Sequence, residues 1–376
     1  MLCQFFFVNL QPKQLYTEKM DLIYDNIVFA IQNHGGVSVV WEELLNRAGK
    51  ELDAKYIDVD TTKVNNYNRK RIDIPNDKII SKISCSRISR YMPVRLSSDK
   101  SFIFHSSYYR YCTNRNAINI TTVHDFTYEL FRSGLQQKVH TWQKFSAIRH
   151  SDAVVCISEN TKRDLLRLLP DVDESKVYVI YNGISEKFHQ LHENTAMYQL
   201  PFSSNSYLIF IGRRDEYKNF DIVVKALSKT KWNLLIIGSQ LNKNEENFVQ
   251  SFLPKERYKC VSNIDDEILN LYYNYAAALL YPSSYEGFGL PVLEAQRAGC
   301  PVIAYNASSI PEVIGCTPLL IDNLTEAEIV SKINLLNDVA LIEDIKIEGL
   351  RNVQRFSWDK MAQQYIELYN EVGNRQ

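Results

Sequence analysis

Short apolar runs rich in β-branched residues alternate with longer amphipathic segments along most of this 376-residue chain. The alternation occurs twice, once on each side of a polar stretch at 186–206. Repeated strand and helix signals predict parallel sheets covered by helices, and the length predicts two domains, since one core rarely keeps growing beyond about 300 residues. The predicted fold class is therefore α/β, with two doubly wound, Rossmann-like domains that face a central cleft.

The pattern predicts six strands in each half of the chain. In the first half they cover 22–26, 54–59, 102–105, 118–123, 153–157 and 177–181. In the second half they cover 207–211, 232–237, 258–261, 278–281, 302–304 and 318–321. Helices are predicted over 37–48 and 135–149, and Ser158 is predicted to cap the start of a further helix.

These elements divide the chain into five predicted segments. They are an N-terminal extension at 1–19, a first domain at 20–190, a linker at 191–206, a second domain at 207–356 and a final helix at 357–376. The extension fits no element around it and is expected to be dispensable. The final helix is expected to pack back toward the first domain.

The composition is that of an ordinary globular enzyme. The hydrophobic fraction is 45%, the charged fraction is 23% and the formal net charge is −1, which excludes a globally basic nucleic-acid binder. The seven cysteines form no C-x-x-C pair and are expected to be reduced thiols. No run approaches the roughly 20 apolar residues of a spanning helix, and the apolar start is a poor signal peptide, so we expect a cytoplasmic protein.

The segment 285–294 reads YEGFGLPVLE, with one carboxylate on a glycine loop and a second inside a predicted helix. Gly287 and Gly289 leave backbone N–H groups open to an anion, and the helix start adds partial positive charge, so the segment favours phosphate. Glu286 and Glu294 can then accept hydrogen bonds from sugar hydroxyls on either side. The alternative is an ordinary turn before a helix, with Glu294 in solvent, and a glycine pair alone does not exclude it.

A basic turn follows the first predicted strand of the second half. Gly212 ends that strand, and Arg213, Arg214 and Lys218 follow in the sequence GRRDEYKN. Such cations can neutralise a diphosphate leaving group. A solvated basic turn is the commoner explanation of a motif like this one, although strand carboxyl ends are where such sheets bind ligands.

Two motifs of the first half also stand at predicted strand ends. Gly35 and Gly36 lie in HGGVS and allow the backbone to approach a ligand closely. His124 lies in TVHD, which puts a polar side chain at the rim of the cleft. Taken alone, the first fits a simple turn and the second fits a histidine that serves as a structural hydrogen-bond partner.

Taken together and in order, these motifs resemble the retaining glycosyltransferases of family 4, which have the GT-B architecture. The resemblance runs from about residue 20 to the FSW segment at 356–358. It is carried by HGGVS, FHSSYYR, TVHDF, VVCISENTKRDL, VYVIYNGI, IGRRDEYKN, LYYNYAAALLYPSSYEGFGLPVLEA and GCPVIAYNASSIPEV. The chain looks most like bacterial enzymes that add mannose or a similar hexose to O-antigen or exopolysaccharide intermediates, and the GRRDxYKN turn is the main pointer.

The resemblance implies roles for charged side chains that the motifs already single out. Glu286 is expected to contact hydroxyls of the donor hexose near the reacting carbon. Glu294 is expected to bind the ribose hydroxyls of the nucleotide. Arg213 and Lys218 are expected to bind the diphosphate, and His124 is expected to lie beside the sugar and the acceptor hydroxyl.

Backbone contacts are implied as well. The base is expected to meet backbone near Val261, and Gly36 is expected to close against the β-phosphate. The phosphate is also expected to meet the N–H groups of Gly287, Phe288, Gly289 and Leu290. Two positions depart from the family pattern. Arg214 adds a second guanidinium beside Arg213, so the resemblance does not decide which of the two arginines binds the phosphate. Asn219 replaces a glycine that many relatives use.

Retention of configuration can arise in two ways. A double displacement needs a carboxylate nucleophile under the sugar ring. The resemblance implies instead a same-face substitution, in which the departing diphosphate helps to deprotonate the acceptor. No metal site is expected, because the two Asp-x-Asp sequences, at 58–60 and 171–173, lie in the first half of the chain and not in the half that is expected to bind the donor. Both are predicted to be solvated loops.

The resemblance implies a nucleotide-sugar donor and no other cofactor. GDP-mannose is favoured and a UDP-sugar is the alternative. The acceptor is expected to be a saccharide or a polyprenyl-diphosphate-linked glycan. Residues 69–100 contain nine Lys or Arg against three Asp, which fits a solvated face or a patch that contacts the inner face of the plasma membrane.

Other functions fit parts of the pattern. A GT-B epimerase or phosphorylase is one alternative enzyme, although a phosphorylase should carry a cofactor lysine and a much longer chain. A nucleotide-sugar-binding subunit that has lost catalysis is the non-enzyme alternative. The joint presence of the histidine, the two phosphate-binding cations and the two carboxylates argues against that subunit.

Overall fold

Two parallel β-sheets dominate the computed structural model, which describes residues 20–33, 35–83, 89–191 and 200–375. The predicted extension at 1–19 lies outside the described residues, as do His34 and the part of the predicted linker at 192–199. Each sheet alternates with helices along the chain. The predicted fold class, α/β with two doubly wound domains, is confirmed.

The first sheet contains seven strands. They are β1 Asp21–Asp25, β2 Lys55–Val59, β3 Ile79–Ile83, β4 Phe102–Ser106, β5 Ala117–Val123, β6 Ala153–Cys156 and β7 Val177–Val179. Their order is β3-β2-β1-β4-β5-β6-β7, and all neighbours are parallel. Six of these strands were predicted. β3 was missed because it lies at the sheet edge with its three central residues exposed, so its sequence lacks the buried apolar run of an inner strand.

The described α-helices of the first domain follow β1, β5 and β6. They are α1 Val28–Ile31, α2 Gly36–Leu44, α3 Thr127–Phe131, α4 Leu135–Arg149 and α5 Glu159–Leu168. The predicted helix at 135–149 matches α4 at both ends. The predicted cap of α5 is also confirmed, because Ser158 Oγ accepts a hydrogen bond from Thr161 N at 3.0 Å. The helix predicted at 37–48 ends as an α-helix at Leu44 and continues as a π-helical turn, Leu45–Gly49.

The second sheet contains the six strands that the sequence predicts. They are β8 Tyr207–Ile211, β9 Asn233–Ile237, β10 Tyr258–Val261, β11 Ala278–Tyr281, β12 Val302–Tyr305 and β13 Leu320–Ile321. They are parallel in the order β10-β9-β8-β11-β12-β13. The helices are α6 Phe220–Ser228, α7 Lys243–Gln250, α8 Asp266–Tyr275, α9 Leu290–Arg297, α10 Ile310–Ile314, α11 Glu326–Asn334 and α12 Val339–Val353.

The last helix, α13 Trp358–Gly373, packs in the core of the first domain. The Tyr369 hydroxyl lies 2.7 Å from His105 Nδ1, and the Tyr365 hydroxyl lies 2.9 Å from Thr122 Oγ1. All four side chains are buried. Because buried polar groups are costly unless paired, these contacts fix the end of the chain to the opposite domain.

One Asp-x-Asp sequence was wrongly predicted to be a solvated loop. Asp58 lies in β2 with its side chain 1% exposed, and its carboxylate accepts hydrogen bonds from the guanidinium of Arg69 and from Asn26 Nδ2. Arg69, the first cation of the basic run at 69–100, is therefore buried as well. The ion pair is therefore part of the interior of the first domain. In the other sequence, Asp171 and Asp173 are exposed as predicted.

The strand order changes direction between β1 and β4 in the first sheet and between β8 and β11 in the second. Sheets of this kind bind ligands in the crevice outside the carboxyl ends of the strands, beside that point. The basic turn, residues 212–219, follows β8, and the glycine loop, residues 285–289, follows β11. His124 follows β5. The candidate residues therefore lie at strand carboxyl ends in both domains.

Candidate active site

The glycine loop ends at the start of α9. Gly289 precedes the helix with φ +103°, a left-handed conformation that costs little only for glycine, and a Cβ there would lie 2.8 Å from Ile310 Cδ1. Leu290 is the first residue of the helix, and its half-buried side chain packs against cores of both domains. The first N–H groups of a helix have no partner within it, so this end of α9 favours an anion.

Two serines hold the glycine loop within its own domain. Ser309 Oγ lies 2.9 Å from both Glu286 O and Phe288 O. Ser308 Oγ accepts a hydrogen bond from Glu286 N at 2.9 Å. The backbone on both sides of Gly287 is thus fixed, which sets the direction in which the Glu286 side chain leaves the loop.

The same loop is also fixed to the first domain. The Tyr285 hydroxyl accepts a hydrogen bond from Phe126 N and donates one to Asp164 Oδ2, each at 3.0 Å. A Cβ on Gly287 would lie only 1.9 Å from His124 O, so no other residue fits there without a shift of the backbone. The structure therefore brings two predicted site elements, His124 and the glycine loop, into direct contact.

Lys218 and Glu286 form an ion pair at the centre of the site. Lys218 Nζ lies 2.5 Å from Glu286 Oε1, and each side chain is 13% exposed. The ammonium also lies 5.4 Å from the ring centroids of Tyr217 and Tyr281. The basic turn and the glycine loop, separated by 68 positions in sequence, meet at this pair.

The two arginines of the basic turn have opposite environments. Arg214 is 5% exposed, and its guanidinium donates to Glu245 at 2.8 and 3.0 Å and to Ser239 O at 3.0 Å. Arg213 is 74% exposed and contacts Asp215, with 3.2 Å between Nε and Oδ2. Because Arg214 is committed to its own domain, Arg213 is the guanidinium that is able to turn toward a ligand.

Asn219, which departs from the family pattern, has a clear backbone role. Its φ is +55° and its ψ is +38°, a left-handed conformation that asparagine tolerates better than most residues. Its Nδ2 donates to Ser284 Oγ at 2.7 Å and to Pro282 O at 2.8 Å. The asparagine thus replaces the freedom of a glycine and also ties the basic turn to the chain before the glycine loop.

Glu294 lies in α9 of the second domain and is half-buried. The Tyr273 hydroxyl donates a hydrogen bond to its Oε2 at 3.4 Å. Burial raises the pKa of Glu294 to about 8, and the negative charge of Asp266 acts in the same direction. The carboxyl is therefore largely protonated at neutral pH.

His124 lies at the rim of the first domain. Burial lowers the pKa of His124 to about 4, against the opposing effect of Asp125, so its imidazole is neutral at pH 7. A neutral imidazole can donate or accept one hydrogen bond with a sugar hydroxyl. It adds no positive charge beside Lys218.

Of the remaining predicted residues, Gly35 and Gly36 lie between α1 and α2, and Val261 lies at a strand end. Gly36 begins α2 in the first domain, and a Cβ there would meet no described atom within 4 Å. Gly35 precedes it in extended backbone, where a Cβ would lie 2.7 Å from Gln32 Oε1. Val261 ends β10 and is half-buried. Within the described part of the chain, no hydrogen bond or ion pair joins these three residues to the Lys218–Glu286 pair.

Two family models match consecutive parts of the chain. The model described as Glycosyltransferase Family 4 matches residues 97–188, and the model described as Glycosyl transferases group 1 matches residues 196–370. The chain belongs to the family 4 glycosyltransferases. The family predicted from the motifs is thus confirmed.

Individual relatives of this family 4 glycosyltransferase are distant. The O-antigen chain mannosyltransferase B of Escherichia coli is 25% identical over 286 residues, which are 72% of this chain and 74% of that protein. Sucrose-phosphate synthase from Thermosynechococcus elongatus has a TM-score of 0.72 at 17% identity, with 95% of this chain and 100% of that one covered. Anabaena HepE in complex with UDP-glucose has a TM-score of 0.70 at 13% identity, with 94% and 100% covered. The two structures establish the GT-B fold alone.

Several residues of the glycosyltransferase site were missed from sequence. Glu312 of the second domain accepts hydrogen bonds from Glu159 N and Asn160 N, both at 2.9 Å, and thereby caps α5 of the first domain. It also accepts one from the Tyr181 hydroxyl at 3.0 Å. Asp164 was missed in the same way. Their partners are more than 120 positions away, so no local pattern identifies them.

No described helix is long and apolar enough to span a membrane. Within 20–33, 35–83, 89–191 and 200–375, no three His, Cys, Asp or Glu side chains are grouped as metal ligands would be.

Proposed function

We propose that this glycosyltransferase moves a hexose from a nucleotide-sugar to a saccharide or polyprenyl-diphosphate-linked glycan, with retention of configuration and without a metal ion. The observation that carries the proposal is the Lys218–Glu286 ion pair, which is formed on a glycine loop in contact with His124. It supports the proposal because it brings together a cation that is able to bind phosphate and a carboxylate that is able to accept hydrogen bonds from sugar hydroxyls, on a loop next to a histidine.

In the proposed donor complex, the diphosphate lies at the N-terminus of α9, where Lys218 and Arg213 neutralise it. Lys218 moves its ammonium from Glu286 to a phosphate oxygen, and the carboxylate then accepts hydrogen bonds from hydroxyls of the hexose. Glu294 binds the ribose hydroxyls, and the backbone near Val261 contacts the base. Gly36 closes against the β-phosphate from the first domain.

In the proposed reaction, the bond between the anomeric carbon and the phosphate oxygen breaks while the acceptor oxygen bonds on the same face. The acceptor proton passes to an oxygen of the departing diphosphate. Negative charge builds on that diphosphate, so cations that are already in position lower the barrier. His124 positions the acceptor hydroxyl, and its neutral imidazole leaves the proton to the diphosphate.

GDP-mannose is the favoured donor. The likeness to the O-antigen mannosyltransferase supports mannose, together with a role in bacterial surface polysaccharide synthesis at the cytoplasmic side of the membrane. The likeness to HepE, which was solved with UDP-glucose, keeps a UDP-sugar as the second candidate, although it supports the fold alone.

A thermal-shift screen of nucleoside diphosphates and nucleotide-sugars tests the donor. A ligand that binds only the folded protein raises its stability in step with its affinity. We expect GDP and GDP-mannose to raise the melting temperature most. A larger shift with UDP and a UDP-sugar would show that the donor is a UDP-sugar and not GDP-mannose. No shift with any nucleotide would overturn the proposal.

The reaction itself is tested by product analysis. We expect transfer of mannose from GDP-mannose to continue in the presence of EDTA, and the new linkage to have the anomeric configuration of the donor by NMR. Loss of activity that divalent cations restore would overturn the metal-independent mechanism. An inverted product would overturn the same-face substitution.

A further inference from the structure

Large apolar side chains are exposed mainly on one part of the first domain. Eleven large hydrophobic residues of the described part of the chain are exposed, and six of them lie between positions 91 and 142. These six, which we call the aromatic face, are Tyr91, Met92, Tyr128, Phe131, Leu135 and Trp142. Grouped apolar side chains on a soluble protein usually mark a surface that binds something.

A chain of side-chain contacts links two members of this face, Tyr91 and Tyr128, through Arg90, Tyr108 and His140. The Tyr128 ring stacks on His140 at 4.1 Å, and the Tyr108 hydroxyl lies 3.0 Å from His140 Nε2. The Arg90 guanidinium lies 5.6 Å from the Tyr108 ring and 4.7 Å from the Tyr91 ring. The loop that carries Tyr91 therefore lies against the same side of the domain as α3 and α4.

The helix α4 supplies the most exposed part of the aromatic face. Leu135 is 77% exposed and Trp142 is 62% exposed, and they stand seven positions apart on one side of the helix. Val139 lies between them and is half-buried, and Lys138 is exposed beside it. Tryptophan beside lysine on the outer side of a surface helix is typical of the interfacial region of a bilayer.

The two segments that carry the aromatic face, residues 89–98 and 127–150, contain more cations than carboxylates. Residues 89–98 and 127–150 together contain a single carboxylate, Glu129, whose side chain is 3% exposed and paired with Lys144. The exposed charges of these two segments are Arg95, Arg132, Lys138 and Arg149. Arg132 contacts Asp215, and Arg149 contacts Asp171. A positive rim around apolar side chains complements negatively charged lipid headgroups.

The aromatic face reaches the rim of the cleft. β5 leads into His124, and α3 and α4 follow it directly. At the end of α3, the Phe131 ring lies 5.4 Å from the Tyr285 ring, which belongs to the residue before Glu286. The exposed surface and the candidate active site are thus two sides of the same edge of the first domain.

We propose that the aromatic face docks this enzyme on an anionic lipid bilayer, with Leu135 and Trp142 in the interfacial region and Lys138 against the headgroups. The proposal deepens the proposed function and rests on it for its purpose, since a polyprenyl-linked acceptor would meet the cleft at that surface. It also moves the centre of the expected membrane contact from the basic run at 69–100 to α4, and only the part of that run around Tyr91, Met92 and Arg95 still belongs to the surface. Within that run, Arg69 is buried against Asp58 and Lys78 pairs with Asp53.

Sedimentation of the full-length protein with lipid vesicles tests this surface. Vesicles of phosphatidylcholine with phosphatidylglycerol are expected to bind the protein, and pure phosphatidylcholine is expected to bind it much more weakly. High salt should weaken binding to the anionic vesicles, because it screens the headgroup charge. Equal binding to the two kinds of vesicle would overturn the proposal.

Substitutions locate the contact. We expect Trp142→Ser to weaken vesicle binding about ten-fold through lost apolar burial, and Lys138→Gln to weaken it about five-fold. Ile347→Ser is the matched control, because Ile347 is 54% exposed on α12 of the second domain; it should leave binding unchanged. Equal binding by Trp142→Ser and Ile347→Ser, both with wild-type melting temperatures, would remove the aromatic face from the contact.

Two further measurements separate the explanations. If light scattering shows a dimer that Trp142→Ser disperses, the face binds a second copy and the membrane proposal is overturned. The nucleotide thermal shift is measured on the same protein. Vesicle binding without a nucleotide-induced thermal shift would support the membrane surface and overturn the proposed function. A thermal shift without vesicle binding would support the proposed function and overturn the membrane surface.

Discussion

The two ends of the segment 286–294 occupy different surroundings although they belong to one motif. Glu286 lies where the domains meet, since it pairs with Lys218 and its neighbours contact Phe126, Asp164 and the backbone of the first domain. Glu294 is half-buried in the second domain and contacts Tyr273 of the same domain. The position of Glu286 therefore depends on contacts with both domains, and the position of Glu294 depends on the second domain.

This difference suggests how binding and chemistry are divided. A ligand group held by the Glu294 end is recognised whether or not the first domain is in place. A group held by the Glu286 end needs the two domains in the arrangement that Tyr285 and Gly287 fix. We therefore expect changes at the Glu286 end to act on turnover and changes at the Glu294 end to act on donor affinity.

The largest effect is expected at Lys218. Lys218→Ala removes the cation nearest to the developing charge and leaves Glu286 without its partner, so turnover should fall about 100- to 1000-fold, or ~2.7–4 kcal/mol. Arg213→Ala should lower turnover in the same direction. Steady-state rates with the donor found by thermal shift give the measurement, and Lys229→Ala, on the far side of the domain, is the control. Wild-type rates in the Arg213→Ala, Lys218→Ala double variant would contradict the assignment.

A smaller loss of turnover is expected when the loop is released from the first domain. Tyr285→Phe removes one hydroxyl and leaves Phe126 N and Asp164 without that partner, a loss of about 1–3 kcal/mol. We expect kcat to fall about ten-fold, with little change in the dissociation constant of the donor. Asp164→Asn should show part of the same loss, and the double variant should lose less than the sum of the two. A change in donor affinity alone would show that Tyr285 does not position the loop for chemistry.

The contribution of Glu294 to donor affinity is expected to depend on pH. Because burial raises the pKa of Glu294 to about 8, and ribose hydroxyls bind a carboxylate better than a carboxylic acid, donor affinity should rise several-fold from pH 6 to pH 8.5. Isothermal titration across this range should show a flat profile for Glu294→Gln. An equal pH dependence in the variant would assign the proton to another group.

The same shift affects the stability of the free protein. The pKa of Glu294 is higher in the folded than in the unfolded chain, so its contribution is present at low pH and is lost as pH rises toward about 8. Glu294→Gln should therefore flatten the fall in melting temperature between pH 5 and pH 8. A fall of wild-type size in the variant would argue against this linkage.

The smallest effect on chemistry is expected at Arg214, next to the most exposed cation of the site. Arg214→Ala removes a buried guanidinium that joins Glu245 to Ser239, so it should lower the melting temperature by several degrees. Turnover per folded molecule should stay within about two-fold of wild type. If instead Arg214→Ala lowers turnover strongly and Arg213→Ala lowers only the melting temperature, the arginine that binds the phosphate is Arg214.

Local patterns were enough to predict most of the fold. Twelve of the thirteen described strands follow from apolar runs, because inner strands of parallel sheets are buried on both faces. The missed strand, Ile79–Ile83, is exposed at an edge. The site residues were predicted as separate motifs at strand ends, but the pairing of Lys218 with Glu286 depends on the three-dimensional fold.

Residues whose partners are distant in sequence could not be identified from local patterns. Glu312 looks like an ordinary helix residue until its carboxylate is seen on the N-terminus of α5, and Asp58 looks like a loop acid until Arg69 is seen against it. The choice between Arg213 and Arg214 was left open for the same reason, because it depends on Glu245, 31 positions away.

Donor affinity and turnover, measured side by side for Glu286→Gln and Glu294→Gln, test the division of roles most directly. We expect Glu286→Gln to keep the dissociation constant of the donor near wild type while kcat falls about 100-fold or more. Glu294→Gln should weaken donor binding at pH 8.5 while kcat at saturation stays close to wild type. The same profile in both variants, or the two profiles exchanged, would contradict this division of roles.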